Sequence, residues 1–343
     1  MKTPSANSED LSPEAILERA TKARGDIFPE WKPVAYAVPK TYDLINRTVS
    51  YLHQYHGQSA GAQALSGPMR ELIAIPALCA KGDIRHSANH VRRLYRMGVT
   101  NKVLLEAASA YATVTGWASM TFVSLAIMEA NNPDYPYGQL PEGGEPKTLT
   151  PFPELQMGRA RKKGKSSESL LDTPEWRYAA GIDPELAKRC AAFVDHCLLA
   201  GGATDEHLGA GPRELIAIAA LCTRGEVDLA AQHILRAYDY GMTKRQVLEA
   251  IACVLPMFGM VTGQLGWRAM RLADASREVG RRKENRQDRQ EEQKASTLRT
   301  RRTQRKTFHH YSALFRFPPD TINRTAKSGG SRGQVTGDGS LMF

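Results

Sequence analysis

No two of the five cysteines in this 343-residue chain (Cys79, Cys190, Cys197, Cys222, Cys253) stand in a Cys-x-x-Cys arrangement. Redox chemistry through a disulfide of that kind needs both sulfurs, so it is not expected. The five instead read as buried thiols in a reducing compartment. No stretch reaches the roughly 18 to 20 uncharged apolar residues that a bilayer-crossing helix needs, so no membrane partner is expected. The opening Met1-Lys2-Thr3-Pro4-Ser5 has no apolar signal core, and a cytoplasmic address is expected. Alternating runs of the β type are also missing, which leaves an all-α fold. The 42% hydrophobic content is ample for two cores.

What the chain does have is a block written twice. Arg70-Glu71-Leu72-Ile73-Ala74-Ile75, then Cys79, Gly82, His90, Arg93, Tyr95, Gly98, Thr100 and Leu105-Glu106-Ala107, recurs 143 residues later without a gap. The second copy reads Arg213-Glu214-Leu215-Ile216-Ala217-Ile218, then Cys222, Gly225, His233, Arg236, Tyr238, Gly241, Thr243 and Leu248-Glu249-Ala250. Upstream, Pro29-Glu30-Trp31-Lys32 returns as Pro174-Glu175-Trp176-Arg177, and His53 is set opposite His196. The period is too long for a solenoid and indicates duplicated domains. The expected organisation is an N-terminal extension (1–27), a first domain (28–130), an exposed linker (131–172), a second domain (173–275) and a basic tail (276–343).

Each unit predicts three successive helices. The first is apolar nearly all round and should lie at the centre, starting at Gly67-Pro68 or Gly211-Pro212 and ending at Gly82 or Gly225. The second runs from Asp83 to Met97 and from Glu226 to Tyr240, with an acidic residue at its positive end. Thr100 and Thr243 are placed to cap the third.

The polar residues kept in both copies are the candidates for chemistry. Glu71 and His90 lie 19 residues apart on consecutive helices, as do Glu214 and His233. Antiparallel helices joined by a short turn can bring each carboxylate against its imidazole, orienting the ring and raising its pKa for proton donation. Arg93 and Arg236 follow the histidines by one turn and suit a substrate carboxylate. His53 and His196 would line the same cavity. A buried Arg-Glu-His network that only ties helices together fits the same pattern, and paired retention favours neither reading. Asp83, His86 and His90 share a helix face and form a candidate metal-ligand set in the first copy alone, since Leu229 replaces His86 in the second; no bound metal is the expectation.

These residues together, Arg-Glu-Leu on an apolar helix, a Gly turn, a His, then Gly-Val-Thr or Gly-Met-Thr before a helix ending Leu-Glu-Ala, resemble the carboxymuconolactone decarboxylase/AhpD-like superfamily. The resemblance implies an all-helical fold, homo-oligomers (trimers of the fused pair, mimicking a hexamer) and two branches of activity. In the peroxidase branch a Cys-x-x-Cys lies between the glutamate and the histidine; here those positions hold Asp83 and His86, or Glu226 and Leu229. The remaining branch implies cofactor-free loss of CO2 from a small carboxylated lactone or ring, in aromatic-compound breakdown. Glu71/His90 and Glu214/His233 would be its acid-base pairs, and Arg93 and Arg236 would hold the anion. An AhpD-like oxidoreductase without Cys-x-x-Cys and a non-catalytic assembly protein are the alternatives.

The net charge of +10 comes largely from the tail, where Arg281, Arg282, Lys283, Arg286 and Arg289 lead on to Arg305 and Lys306. Such a run binds nucleic acid non-specifically in some proteins, but no groove-reading module accompanies it. A solvated appendage, partly helical and then disordered, is expected.

Overall fold

The computed structural model describes residues 10–53, 64–158, 173–199 and 207–314. The chain forms two units, Met1–Gly280 and Arg281–Phe343. Among the described residues every regular element is helical.

The first unit opens with α1 (Pro13–Arg24), whose first turn is capped by Ser12. The first repeat then supplies α2 (Trp31–Ala37), α3 (Pro39–His53), α4 (Gly67–Ala80), α5 (Ile84–Arg96), α6 (Asn101–Thr115) and α7 (Ala118–Ala130). The second supplies α8 (Pro174–Ile182), α9 (Pro184–Leu199), α10 (Ala210–Arg224), α11 (Val227–Asp239), α12 (Lys244–Cys253), the short α13 (Leu255–Phe258) and the start of α14 (Met260–Leu314). As the apolar pattern requires, α4 and α10 are buried on nearly every side. They share one hydrophobic core that takes Leu72, Ile75, Val103 and Tyr111 from the first repeat and Leu215, Ile218, Val247 and Ile251 from the second. Asp83 caps α5, accepting from the His86 amide at 3.1 Å. Thr243 and Gln246 form a reciprocal capping box on α12. Thr100 stands at the equivalent place on α6 but makes no side-chain cap bond, contrary to the expectation.

The two repeats are locked by matched arginines. Arg70 reaches across to Glu249, with Nη2 at 2.5 Å from Oε2, and donates to the carbonyls of Leu65 and Leu52. Arg213 reaches the other way to Glu106 at 2.9 Å and donates to the carbonyls of Leu208 and Cys197. Both guanidiniums are almost wholly buried, and each has charge and hydrogen-bond partners, the condition under which buried ions are tolerated.

This equivalence corrects one alignment. Leu65 and Leu208 differ by 143, but Leu52 and Cys197 differ by 145. The connection between them is therefore two residues shorter in the second copy, and the counterpart of His53 is Leu198. His53 and Leu198 are both buried, whereas His196 is exposed.

The segment after α7 is more than an exposed connection. The Arg92 side chain gathers the carbonyls of Ala130, Asn132, Tyr135 and Gly138 at 2.7 to 2.9 Å. Leu155 is fully buried in a short 3-10 turn, Pro153–Gln156, and its carbonyl accepts from Gly209 at 2.7 Å. A Cβ on Gly209 would lie 2.1 Å from the Met157 carbonyl oxygen, so glycine allows this close approach. Residues 159–172 lie outside the described residues.

In the second unit, α14 continues to Leu314, and the described side chains between Arg281 and Arg301 are exposed. The expected helical part of the tail is present; the disorder expected further on falls on 315–343, outside the described residues. No helix among the described residues is long and apolar enough to cross a membrane.

Candidate functional site

The helical register of α4 turns consecutive side chains about 100° apart, enough to aim them at different neighbours. Arg70 faces the other repeat, and Glu71 faces α5 of its own. His90 Nδ1 contacts Glu71 Oε2 at hydrogen-bond distance, and Arg93 Nη1 donates to Glu71 Oε1 at 3.0 Å. In the second repeat His233 Nδ1 lies 2.6 Å from Glu214 Oε2, and Arg236 Nε donates to Glu214 Oε1 at 3.1 Å. Both glutamates are buried, and both histidines are about nine-tenths buried. The sequence-predicted pairs are thus brought together in each copy.

Arg93 and Arg236, expected to hold a substrate carboxylate, each bind the glutamate of their own repeat. Burial works to raise the Glu71 carboxyl's pKa, but His90 and Arg93 outweigh it and hold the group ionised, well below the usual carboxylate range.

The His90 ring also departs from the expectation. Burial is the largest influence and lowers its pKa; Glu71 opposes it, Arg93 and Arg24 reinforce it, and the net direction is downward. The resting ring is therefore neutral near pH 7. With Nδ1 facing the Glu71 carboxylate, the favoured tautomer carries its proton there and leaves the Nε2 lone pair as a base.

Beside this dyad lies a cavity of about 770 Å³. His53, His86 and His90 line it, with Arg24 from α1, Lys81 from the end of α4, and an apolar wall from α3. The His53 and His90 rings meet edge to face with centroids 5.8 Å apart. Burial is the main cause that pushes the His53 pKa down to about 3, so this ring too is neutral. The far wall belongs to the other repeat: Leu255, Pro256, Met257 and Met260. Lys81 Nζ donates to the Met257 carbonyl at 2.6 Å and ties that wall to the first repeat.

His196 was expected to be a cavity residue; it is exposed because the register shift puts Leu198 at the buried position. Asp83, His86 and His90 share a neighbourhood but not a coordination geometry. The Asp83 carboxylate caps α5 and lies 2.8 Å from His86 Nδ1, the His86 ring packs on Phe28, and His90 Nδ1 turns to Glu71. Among the described residues no group of three or more His, Cys, Asp or Glu is arranged to hold a metal ion.

Arg24, Lys81 and the α13 wall were missed by sequence reasoning. Arg24 belongs to a helix outside the duplicated block and the wall to the opposite repeat, so neither carried a signal. Lys81 did carry one, since Arg224 keeps its positive charge in the second copy.

The site is less complete in the second repeat. Leu198 takes the place of His53 and Leu229 that of His86, so of the three cavity histidines only His233 is retained.

No curated protein matches the sequence. One solved structure, described as a candidate gamma-carboxymuconolactone decarboxylase subunit from Burkholderia xenovorans LB400, is similar over 78% of this chain and 98% of its own, with 18% identity and a TM-score of 0.45. The model of the family described as "Carboxymuconolactone decarboxylase family" matches twice, at residues 47–130 and 184–271. Each matched segment carries one complete Glu-His pair, and the chain belongs, as a tandem duplication, to the carboxymuconolactone decarboxylase family.

Proposed function

We propose that this chain is a cofactor-free enzyme that decarboxylates, or moves a proton on, a small carboxylated ring compound, and that the first-repeat cavity is where it works. The observation that carries the reading is His90, which lines a ligand-sized cavity while a buried glutamate holds its Nδ1. Arg24, which lines the same cavity, anchors the substrate carboxylate.

The chemistry follows from the charges. An anionic substrate entering beside the neutral His90 adds negative charge and draws a proton from water onto Nε2. The bond from the ring carbon to the carboxylate breaks, CO2 leaves, and the electron pair passes into a conjugated carbonyl as a dienolate. Nε2 then returns its proton to carbon, and the ring is neutral again. Glu71 stays ionised throughout and keeps the imidazole oriented. The thiols of Cys79, Cys222 and Cys253 are pushed up to about 12 by burial, so none of these three is a ready thiolate nucleophile.

The test is mass spectrometry of carboxylated lactones and aromatic acids incubated with the protein, watching for loss of CO2. Turnover by wild type that vanishes in His90→Ala at unchanged melting temperature supports the reading. A large stability loss in His90→Ala, with no carboxylate turned over by wild type, would leave the network a structural tie.

A homo-oligomer, with a trimer as the first candidate, completes the proposal. Tyr178, Ile182 and Leu186 on α8 and α9 are more than half exposed and suit a subunit contact. Light scattering after size exclusion tests it, and a monomeric mass would refute it.

A further inference from the structure

We infer that the first-repeat cavity is built for an amphiphilic carboxylate, whose acid group sits at the Arg24 and His90 end and whose apolar body spans at least two rings. The inference rests on the reading that this cavity is the reaction site and adds the class of ligand.

Size is the first argument. A cavity of about 770 Å³ falls within the roughly 300 to 1,000 Å³ range of sites that enclose drug-sized ligands, and one small lactone ring would leave most of it to water. The lining is the second. Leu44, Ile45, Val49 and Leu52 from α3 face the cavity together with Leu255 and Met257 from the other repeat. Leu44 is 52% exposed and Met260 59%, which leaves apolar surface that a bound body would cover. The distribution of charge is the third. Arg24 is half-buried, donates from Nη1 to Asn46 Oδ1 at 3.1 Å, and lines the cavity together with His90. Lys81 is exposed at the rim and tied to the Met257 carbonyl. The Arg24 guanidinium and the His90 imidazole in one cavity, with the Asp83 carboxylate occupied by His86 and the remaining lining largely apolar, match a molecule that is anionic at one end. Contacts to the remote body would also supply binding energy for placing the carboxylate against His90.

Isothermal titration calorimetry of the full chain with benzoate, 2-naphthoate, biphenyl-4-carboxylate and the neutral 2-naphthamide tests this. Affinity should rise about tenfold from benzoate to either two-ring acid, and the amide should bind at least about tenfold more weakly than its acid. Arg24→Gln should erase the difference between acid and amide yet keep the dependence on ring number. Ile45→Trp, which fills the wall, should abolish the two-ring advantage. Leu44→Gln, at a half-exposed position, should weaken both two-ring acids severalfold and serves if Ile45→Trp fails to fold. Equal affinity across the series, or an acid preference that survives Arg24→Gln, would overturn the inference. The two proposals fail separately. Ring-dependent binding with no CO2 released from any carboxylate would sink the reaction and keep the ligand class. Turnover of a one-ring lactone with a flat binding series would do the reverse.

Discussion

Arg70 and Glu71 are neighbours in sequence with opposite duties, one joining the repeats and the other orienting a histidine. Substitutions at the histidines should separate the two copies. His90→Ala should lower turnover by roughly 10² or more, the usual scale for losing a positioned acid-base group, whereas His233→Ala should lower it less than about threefold. Comparable losses in a steady-state assay would show two working sites. The buried His53 gives a pH signature. Its pKa is about 3 in the folded protein against an ordinary 6.5, so below about pH 6.5 the unfolded chain takes up a proton that the folded one refuses. Stability is therefore complete above that pH and falls as pH drops toward 3. Melting temperatures between pH 7 and 5 should decline, and His53→Leu, which copies Leu198, should flatten the slope by about one proton. An unchanged slope would mean that His53 is charged or solvated. The Glu-His spacing was legible in the sequence because helical geometry fixes it. The sign of the His90 shift was not, because burial there outweighs the adjacent carboxylate.

At the level of elements, the cross-repeat ion pairs hold α4 and α10 in place. Glu249→Gln leaves the Arg70 guanidinium buried without its counter-charge and should cost about 3 to 5 kcal/mol in urea denaturation. A loss below about 1 kcal/mol would mean that water reaches this pair. Gly209→Ala tests the packed connection: its backbone is ordinary, with φ −70°, so its cost of about 1 to 3 kcal/mol would come from crowding the Met157 carbonyl. Central helices, glycine stops and the second-helix boundaries could be read from apolar periodicity and turn residues. The packed linker could not, because its order comes from Arg92 and Leu155 making contacts distant in sequence. The pairing of His53 with Leu198 is nonetheless written in the sequence, since Pro29-Glu30-Trp31 and Pro174-Glu175-Trp176 stand 145 apart, not 143.

At the scale of the whole molecule, the core draws residues from both repeats, and the first cavity borrows its far wall from the second. Residues 10–158 expressed alone should therefore give no stable folded monomer; sedimentation should find self-paired or aggregated chains. A well-folded monomer would show that the shared core is dispensable. Identical subunits facing one another must accept every substitution in duplicate, so a change that spoils one face spoils both. Joining the two halves in a single polypeptide lifts that constraint. Leucine at 198 and at 229, where the first half keeps histidine, is the divergence that such freedom permits: one half can drift toward a supporting part while the other keeps its chemistry.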